Sequence, residues 1–137
     1  MPPGMSRNHE RLRVFHDAHK VVIATYRNSE SFPRDEWFGL RSQIRRAAVS
    51  VTCNIVEGSA RETTRDYVRF LNVALGSSSE LQYLMLLVEA LEIPTGSDWK
   101  SLEPKCRSVT RQLQRLIDSL RRGPKNSREP RAAGELG

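Results

Sequence analysis

Three groups of arginine are the residues of this sequence whose spacing best suits chemistry with an anion. Each group contains arginines four residues apart, which places those on one side of a helix, while Arg46 directly follows Arg45. A guanidinium group can hold a phosphate through two parallel hydrogen bonds, so such rows suit the backbone of a nucleic acid. The candidate nucleic-acid-binding residues are Arg41, Arg45, Arg46, Arg61, Arg65, Arg69, Arg107, Arg111 and Arg115.

The alternative interpretation is that these arginines only form a solvated surface. Acidic residues Glu57, Glu62 and Asp66 stand among the second group and neutralise part of its charge. The aromatic residues nearest to the arginines are assigned to the core: Trp37, Phe38, Tyr67 and Phe70. Because no exposed ring is then available to stack on a base, we expect binding through charge and shape rather than base reading.

No arrangement of residues typical of an enzyme is visible. The chain has neither a glycine-rich phosphate loop nor a nucleophile elbow. His16 and His19 lie three residues apart, but metal sites in helical bundles use Glu-x-x-His, and Arg13 stands where His16 would need the acid. We therefore expect surface histidines, no catalytic residue, no metal or other cofactor, and a protein that is not an enzyme.

A second set of polar residues, Asn54, Glu57 and Glu80, is expected to be structural. Asn54 and Glu57 lie three residues apart, and Glu80 stands in the most apolar stretch of the chain. An unpaired buried carboxylate is costly, so we expect Glu57 or Glu80 to meet an arginine such as Arg46 or Arg69, with Glu80 buried or half-buried. A cluster that fixes helix register is one interpretation, and a pair of hydrolytic carboxylates is the other.

Apolar residues at spacings of three and four predict four helices that position these side chains. Their expected ranges are about 14–28, 35–57, 64–92 and 99–121. Gly58 is expected to end the second helix, Thr63 or Thr64 to cap the third, and Ser97 or Asp98 to cap the fourth. Pro104 is expected to delay the regular part of the fourth helix. Short connections favour an all-α, up-down-up-down antiparallel four-helix bundle.

Each predicted helix has one apolar face that should form the core. On the first helix the face is Phe15, Ala18, Val22 and Tyr26, and on the second it is Leu40, Ile44, Ala47, Ala48, Val51 and Ile55. On the third helix it is Tyr67, Leu71, Ala74, Leu81, Met85 and Val88. On the fourth helix it is Leu102, Cys106, Val109, Leu113, Leu116 and Leu120.

The third helix carries more apolar residues than one face can bury. The residues outside its main stripe are Val68, Leu75, Leu86 and Leu87. A helix that is apolar on more than one face packs on more than one side, so we predict a homo-oligomer. The small residues 76–79 are expected to allow another helix to approach closely, since a glycine inside a helix otherwise costs about 1 kcal/mol.

Length and charge fit one small basic domain. The 137 residues suit a single domain at 12–122, with disordered tails at 1–11 and 123–137. The formal net charge is +6; each tail carries +1, which leaves +4 on the folded part and makes nucleic acid or an acidic protein a candidate partner. No apolar run is long enough for a membrane span. Cys53 and Cys106 are expected to be reduced core thiols of a cytoplasmic protein.

Two consecutive segments resemble a known family. The run SQIRRAAVSVTCNIVEGSAR (42–61), followed by DYVRFLNVALGSSSEL (66–81), is similar to the bacterial four-helix-bundle family of intervening-sequence proteins, encoded in or related to insertions in large-subunit ribosomal RNA genes. The similarity runs from about residue 14 to about residue 120. The sequence departs from the family at Val51-Thr52-Cys53, where a proline is more usual. The resemblance implies a four-helix bundle and a ring-like homopentamer.

These observations lead to one functional hypothesis and one rival. We expect a cytoplasmic, non-enzymatic homo-oligomer that binds nucleic acid, most of all structured RNA, through its arginine-rich surfaces. The alternative is an adaptor whose basic surface docks a nucleic-acid enzyme. Similar bundles accompany reverse transcriptases in diversity-generating retroelements, so the resemblance allows that role as well.

Overall fold

The computed structural model describes residues 8–123, which form four α-helices packed against one another and contain no β-strand. The helices are α1 (Arg13–Asn28), α2 (Ser42–Ser59), α3 (Thr64–Ala90) and α4 (Trp99–Arg122). The predicted all-α bundle is therefore confirmed. Over these residues, no helix is both long and apolar enough to cross a membrane.

Neighbouring helices in the bundle run antiparallel. Helix α3 packs along both α2 and α4, and α1 closes the bundle by packing against α2 and α4. In each pair of helices, an early residue of one helix contacts a late residue of the other. Between α2 and α3 the contacts are Gln43–Glu80 and Gly58–Phe70, and between α3 and α4 they are Gln82–Glu103 and Ser78–Thr110. Between α1 and α4, with the turn before α4, they are Asn28–Ser97 and Asp17–Gln112.

The ends of the chain fall mostly outside the described residues. Of the tails predicted to be disordered at 1–11 and 123–137, residues 1–7 and 124–137 lie outside the described residues. Within the predicted N-terminal tail, His9–Arg11 forms a short 3-10 helix instead, with the side chain of Asn8 accepting a hydrogen bond from the Glu10 amide.

The predicted apolar faces of α2 and α3 form the core. All six residues predicted for each of these two helices are buried. On α4, Leu102, Cys106, Val109 and Leu113 are buried as expected. Further along α4 the fully buried residue is Ile117, while Leu116 and Leu120 are only partly covered. The stripe therefore turns slightly at the end of α4.

The core face of α1 is rotated by about one residue from the prediction. The buried residues are Val14, Ala18, Val21 and Thr25. Of the predicted face only Ala18 is buried; Phe15 and Val22 are partly covered, and Tyr26 is exposed. The prediction placed the large rings inside, but the ring of Tyr26 carries the guanidinium group of Arg45 on the outside of the bundle.

The start of the predicted second helix is irregular. Arg34–Glu36 is a 3-10 turn and Trp37–Arg41 a π-helical turn, so α2 begins only at Ser42. The backbone leaves helical values at Gly39, with φ −108° and ψ −107°. The prediction of a core position for Phe38 is wrong, because its side chain is 96% exposed.

The later helices begin and end largely as their capping residues predict. The side chain of Thr63 accepts a hydrogen bond from the Asp66 amide at 3.1 Å, and that of Asp98 accepts one from the Ser101 amide at 3.2 Å. Helix α4 is continuous through Pro104, so the predicted delay in its start is wrong. Helix α2 is unbroken across 51–53 and runs past Gly58 to Ser59.

The small residues of α3 allow two helices to approach it. The Ser77 hydroxyl lies 2.7 Å from that of Ser50 on α2. The Ser78 hydroxyl lies 2.6 Å from that of Thr110, and Cys106 donates its thiol to the Ser78 carbonyl, both on α4. The prediction of close packing at 76–79 is confirmed, and the neighbours that use it belong to the same chain.

The two cysteines occupy different environments. Cys106 is buried between α3 and α4, and burial raises the pKa of its thiol to about 12. Cys53 is exposed, so its assignment to the core is wrong. Its helical position lies opposite the buried face of α2, two residues from both Val51 and Ile55.

The buried carboxylate of the bundle is Glu103, and the prediction for Glu80 is wrong. Glu80 is exposed and accepts a hydrogen bond from Gln43 at 3.2 Å. Glu103 is only 6% exposed, pairs with Arg107 and accepts a hydrogen bond from Gln82 at 2.9 Å. Hydrogen bonding from Arg107, which outweighs the opposing effect of burial, lowers the pKa of Glu103.

Gly58 is a position where a larger residue should destabilise the fold. An added Cβ would lie 2.9 Å from Cβ of Phe70 and 3.1 Å from Cδ1 of Tyr67, where α2 and α3 meet. We expect Gly58→Ala to lower the free energy of unfolding by about 1–3 kcal/mol in chemical denaturation. The control Ser119→Ala, on the exposed side of α4, should change it by less than about 0.5 kcal/mol. Equal effects would contradict the close approach.

Glu103 should contribute stability that depends on pH. Because its pKa is lowered in the fold, this contribution is present above the unfolded pKa of about 4.3 and is lost as pH falls through the folded value. We expect Glu103→Ala to lower the free energy of unfolding by about 1–2 kcal/mol at pH 7, allowing for the half-exposed Arg107. In urea unfolding, the difference in free energy of unfolding between the unchanged protein and Glu103→Ala should become smaller below about pH 4.

The matched control is Glu80→Ala, which removes an exposed carboxylate with a neutral partner. Its effect on the free energy of unfolding should stay within about 0.5 kcal/mol at either pH. If Glu80→Ala lowers the free energy of unfolding more than Glu103→Ala does, Glu80 and not Glu103 is the stabilising carboxylate.

Candidate nucleic-acid interface

The structure divides the nine predicted arginines among three places. The first group lies around the start of α2, the second lies at the opposite end of the bundle where α2 leads into α3, and the third runs along α4. The groups are named as follows: the α2 group is Arg41, Arg45 and Arg46; the α3 group is Arg61, Arg65 and Arg69; the α4 row is Arg107, Arg111 and Arg115. They do not form a single site.

In the α2 group, aromatic rings support the guanidinium groups. Arg41 and Arg34 each lie 4.9 Å from the centroid of the Trp37 ring. The indole nitrogen of Trp37 donates a hydrogen bond to the Phe32 carbonyl at 3.0 Å, which fixes the ring. A guanidinium stacked on a ring keeps its N–H edges free for an anion, so Arg41 stays available to a ligand.

Arg45, in the same group, makes hydrogen bonds that connect α2 to the end of α1. Its Nε donates to the Ser29 hydroxyl at 2.7 Å, and a terminal nitrogen donates to the Tyr26 carbonyl at 3.1 Å. Its guanidinium lies 4.6 Å from the centre of the Tyr26 ring. Burial, and secondly the like charge of Arg41, lower the pKa of Arg45. The side chain therefore ties the end of α1 to α2, and removing it would disturb packing as well as charge.

Phe38 is an exposed aromatic residue among these arginines, whereas the sequence pattern placed it in the core. Phe38 lines an open groove of about 500 Å³ beside the α2 group. We call this the Phe38 surface; its residues are Tyr26, Trp37, Phe38, Arg41, Arg45 and Arg46. One signal was present in the sequence: Phe38 precedes Arg45 by seven residues, or two helical turns, and so shares the side of the arginine rather than that of Leu40.

In the α3 group, two arginines share one ring. Arg61 and Arg69 each lie 4.8 Å from the centroid of Phe70, which is partly buried next to Gly58. Nε of Arg69 also lies 3.8 Å from Asp66, an ion pair between largely exposed side chains that is worth little free energy. Part of the positive charge of this group is therefore balanced within the chain.

An open groove separates the start of α3 from the end of α4. It measures about 710 Å³, and its charged lining residues are Arg65, Asp66, Arg69 and Arg121. Arg65 is exposed and forms no ion pair with a described acidic residue. The groove joins the α3 group to the end of α4, so an extended anion could contact both.

Helix α4 has a higher net positive charge than the folded part of the chain as a whole. Residues 105–122 contain six basic residues and one acidic residue, a net charge of +5 against +4 for all of 12–122. Arg107 is committed to Glu103. Arg111 and Arg115 are exposed and, among the residues that the structure describes, pair with no acid. One side of the bundle is thus strongly cationic.

The predicted polar cluster is only partly formed. Nδ2 of Asn54 donates to the Ser50 carbonyl at 2.8 Å and lies 3.1 Å from its hydroxyl, which in turn contacts Ser77. This network joins the middle of α2 to α3. Of the three residues that the structural interpretation grouped together, only Asn54 takes part in this network.

Glu57 and Glu80 stand apart from that network. Glu57 is exposed, and its carbonyl oxygen accepts a hydrogen bond from Arg61 at 3.3 Å. Glu80 contacts Gln43, which lies eleven residues before Asn54, or about 16 Å along α2. The three predicted members therefore do not meet, and the expected pairing of Glu80 with an arginine is replaced by an amide contact.

The two candidate histidines surround a ring at the start of α1. His16 and His19 are exposed, with ring centroids 5.5 Å and 6.1 Å from that of Phe15. Nε2 of His16 lies 2.6 Å from the Glu10 carbonyl. Within 8–123, no group of three or more histidine, cysteine, aspartate or glutamate side chains is arranged to hold a metal ion.

The outward face of α3 is uncharged along one stripe. Of the apolar surplus predicted from sequence, Val68, Leu75 and Leu87 pack partly against the core, whereas Leu86 is 51% exposed. Tyr83, on the same outward side, is 60% exposed. The residues at helical spacing on this side, which we call the Tyr83 stripe, are Gly76, Ser79, Tyr83, Leu86 and Ala90.

Comparison with known proteins agrees with the resemblance seen in the sequence. The family model for 23S rRNA-intervening sequence protein matches residues 10–115. A crystal structure of a protein of unknown function from the S23 ribosomal protein family of Bacteroides thetaiotaomicron is 21% identical, with a TM-score of 0.69 over 77% of this chain and 95% of that one. Comparison with curated proteins gave no match. The fold is thus shared with the S23 structure, and the chain belongs to the 23S rRNA-intervening sequence protein family.

Proposed function

We propose that this chain is a cytoplasmic, non-enzymatic protein that assembles with copies of itself and binds structured RNA through its exposed arginines. The observation that carries the proposal is the charge of α4, whose residues 105–122 alone exceed the net charge of the folded part. A surface of one sign attracts the phosphate backbone without reading its sequence.

The contacts within the chain indicate which arginines are available for RNA. Arg45 is held by Ser29 and Tyr26, and Arg107 by Glu103. Arg111 and Arg115 are exposed, belong to neighbouring turns of α4 about 6 Å apart, and have no described acidic partner. We therefore assign the principal phosphate contacts to Arg111 and Arg115, with Arg46 and the arginines of the α3 groove beside them.

The names of the relatives support the same direction. The family is named for an intervening sequence of 23S rRNA, and the S23 structure belongs to a family called ribosomal. Both names refer to the ribosome or to its RNA. Structured RNA is accordingly the ligand that we propose for the cationic surface.

The salt dependence of RNA binding should reveal the phosphate contacts. We expect the double variant Arg111→Gln, Arg115→Gln to lower the slope of log affinity against log salt by about 1.4–1.8, since each lost contact removes roughly 0.7–0.9. Fluorescence anisotropy with a labelled RNA hairpin at several salt concentrations measures this slope. The fold should be unaffected because both side chains are exposed.

The matched control removes two charges from α1. Lys20 and Arg27 are exposed on that helix and have no described acidic partner, so Lys20→Gln with Arg27→Gln changes the net charge equally. This control should leave the slope close to that of the unchanged protein. Equal losses in the two double variants would show that net charge, and not α4, governs binding. If the unchanged protein shows no binding, the RNA proposal fails.

The Tyr83 stripe supports assembly with further copies of the chain. Exposed tyrosine and leucine beside glycine and alanine, with no charge among them, suit close packing against another helix. An added Cβ at Gly76 would meet nothing within 4 Å, so that position has room for a neighbouring surface. The ring-like homopentamer implied by the family resemblance is the assembly that we propose.

A charge placed in the stripe should dissociate the assembly. Light scattering should give the unchanged protein a mass several times the 15.6 kDa of one chain. We expect Leu86→Lys to lower that mass, because an unpaired charge buried at an interface is strongly unfavourable. The control Leu91→Lys replaces a leucine that is similarly exposed but lies off the stripe, and should leave the mass unchanged.

The second candidate function is an adaptor for another protein, for example a nucleic-acid enzyme, and the uncharged stripe also favours it. The two functions differ in their outcomes. A mass of 15.6 kDa for the unchanged protein would contradict assembly through the stripe. If that protein also fails to bind RNA, the adaptor becomes the better explanation of both surfaces.

A further inference from the structure

The Phe38 surface combines an exposed ring with fixed cations in a way that charge alone does not explain. Phe38 is 96% exposed, although Trp37 is half-buried and Leu40 is buried. The π-helical turn Trp37–Arg41, with its irregular Gly39, presents the ring outside the bundle. Fully exposed phenylalanine is costly in water, so a ligand that covers the ring gains apolar burial.

The cations beside the ring are positioned for an anion. Arg41 is stacked on Trp37, Arg46 is exposed, and Arg45 completes the group from its place on Tyr26. The guanidinium groups of Arg41 and Arg45 repel one another, and an anion near them would relieve this repulsion. The groove of about 500 Å³ between them is large enough for one nucleotide.

An unpaired nucleotide matches both properties. Its base offers a flat face for stacking on the ring, and its phosphates offer charge to the arginines. A second copy of this basic chain would instead bring further positive charge. An apolar peptide would cover the ring but leave the arginines without a partner.

We propose that Phe38 stacks on an unpaired base of a single-stranded RNA segment while Arg41 and Arg46 hold the flanking phosphates. This inference rests on the proposed RNA binding and extends it, because α4 contacts only the backbone whereas the Phe38 surface selects unpaired regions. The ligand of the whole protein is then an RNA that has both a helix and an unpaired loop or end.

The test compares two labelled probes on the full chain. One is a single-stranded RNA of about 12 nucleotides without self-complementarity, and the other is its duplex, whose bases are already stacked. Phe38→Ala should weaken binding of the single strand about 5- to 150-fold, the range that corresponds to one stacked base. Binding of the duplex should change by less than about twofold. Phe38→Trp should retain single-strand affinity, and the new indole should be quenched when RNA binds.

Controls separate stacking from other roles of the ring. Leu91→Ala removes an exposed apolar side chain at the same end of the bundle and should leave both affinities unchanged. Light scattering on Phe38→Ala should return the mass of the unchanged protein; a lower mass would identify Phe38 as a subunit contact and overturn the proposal. If RNA binding depends on salt but Phe38→Ala does not weaken it, the stacking proposal fails and the proposed RNA binding stands. If the unchanged protein binds neither probe, both proposals fail.

Discussion

The close approach of α3 to two helices at once is the constraint on which the rest of the bundle depends. At its middle, Ser77 contacts Ser50 of α2 and Ser78 contacts Thr110 of α4, so small side chains line both close contacts. Hydroxyl pairing there satisfies groups that would be costly to bury alone. Because α3 is held on both sides, its remaining face must point outward. The core packing therefore places the Tyr83 stripe on the outward face of α3.

Hydrophobic spacing predicted the parts of the fold that burial decides. The buried faces of α2 and α3 were predicted correctly. Both helices are regular and both pack along one continuous core, so the spacing of their apolar residues indicates burial. The prediction failed where a single residue departs from that regularity. Gly39 interrupts the helix and releases Phe38, and the rotated face of α1 leaves Tyr26 outside as a support for Arg45. An aromatic ring serves equally as core or as a platform for a cation, and sequence alone does not distinguish these uses.

The charged residues show a different limit of sequence reasoning. Sequence predicted that a carboxylate would be buried with an arginine and named Glu57 or Glu80, whereas the buried carboxylate is Glu103. Which carboxylate can be buried depends on the residues that face it from α3 and α4. Gln82 and Arg107 both contact the Glu103 carboxylate and together offset the cost of removing it from water. The same limit applies to the arginines. The sequence gives the number of arginines. It does not show which of them, for example Arg107 or Arg111, is free to contact a ligand, because that depends on contacts within the folded bundle.

The proposed assembly and the proposed RNA binding would support one another physically. A single chain offers few uncommitted arginines on α4, and a handful of exposed phosphate contacts gives only weak, salt-sensitive affinity. In the proposed homo-oligomer each of these contacts is repeated at a fixed spacing. Once one subunit holds an RNA, the others meet it at high effective concentration, so affinity rises without any new contact. An RNA long and folded enough to span several subunits is then favoured over a short one of equal charge density, which is a form of selectivity that requires no reading of sequence.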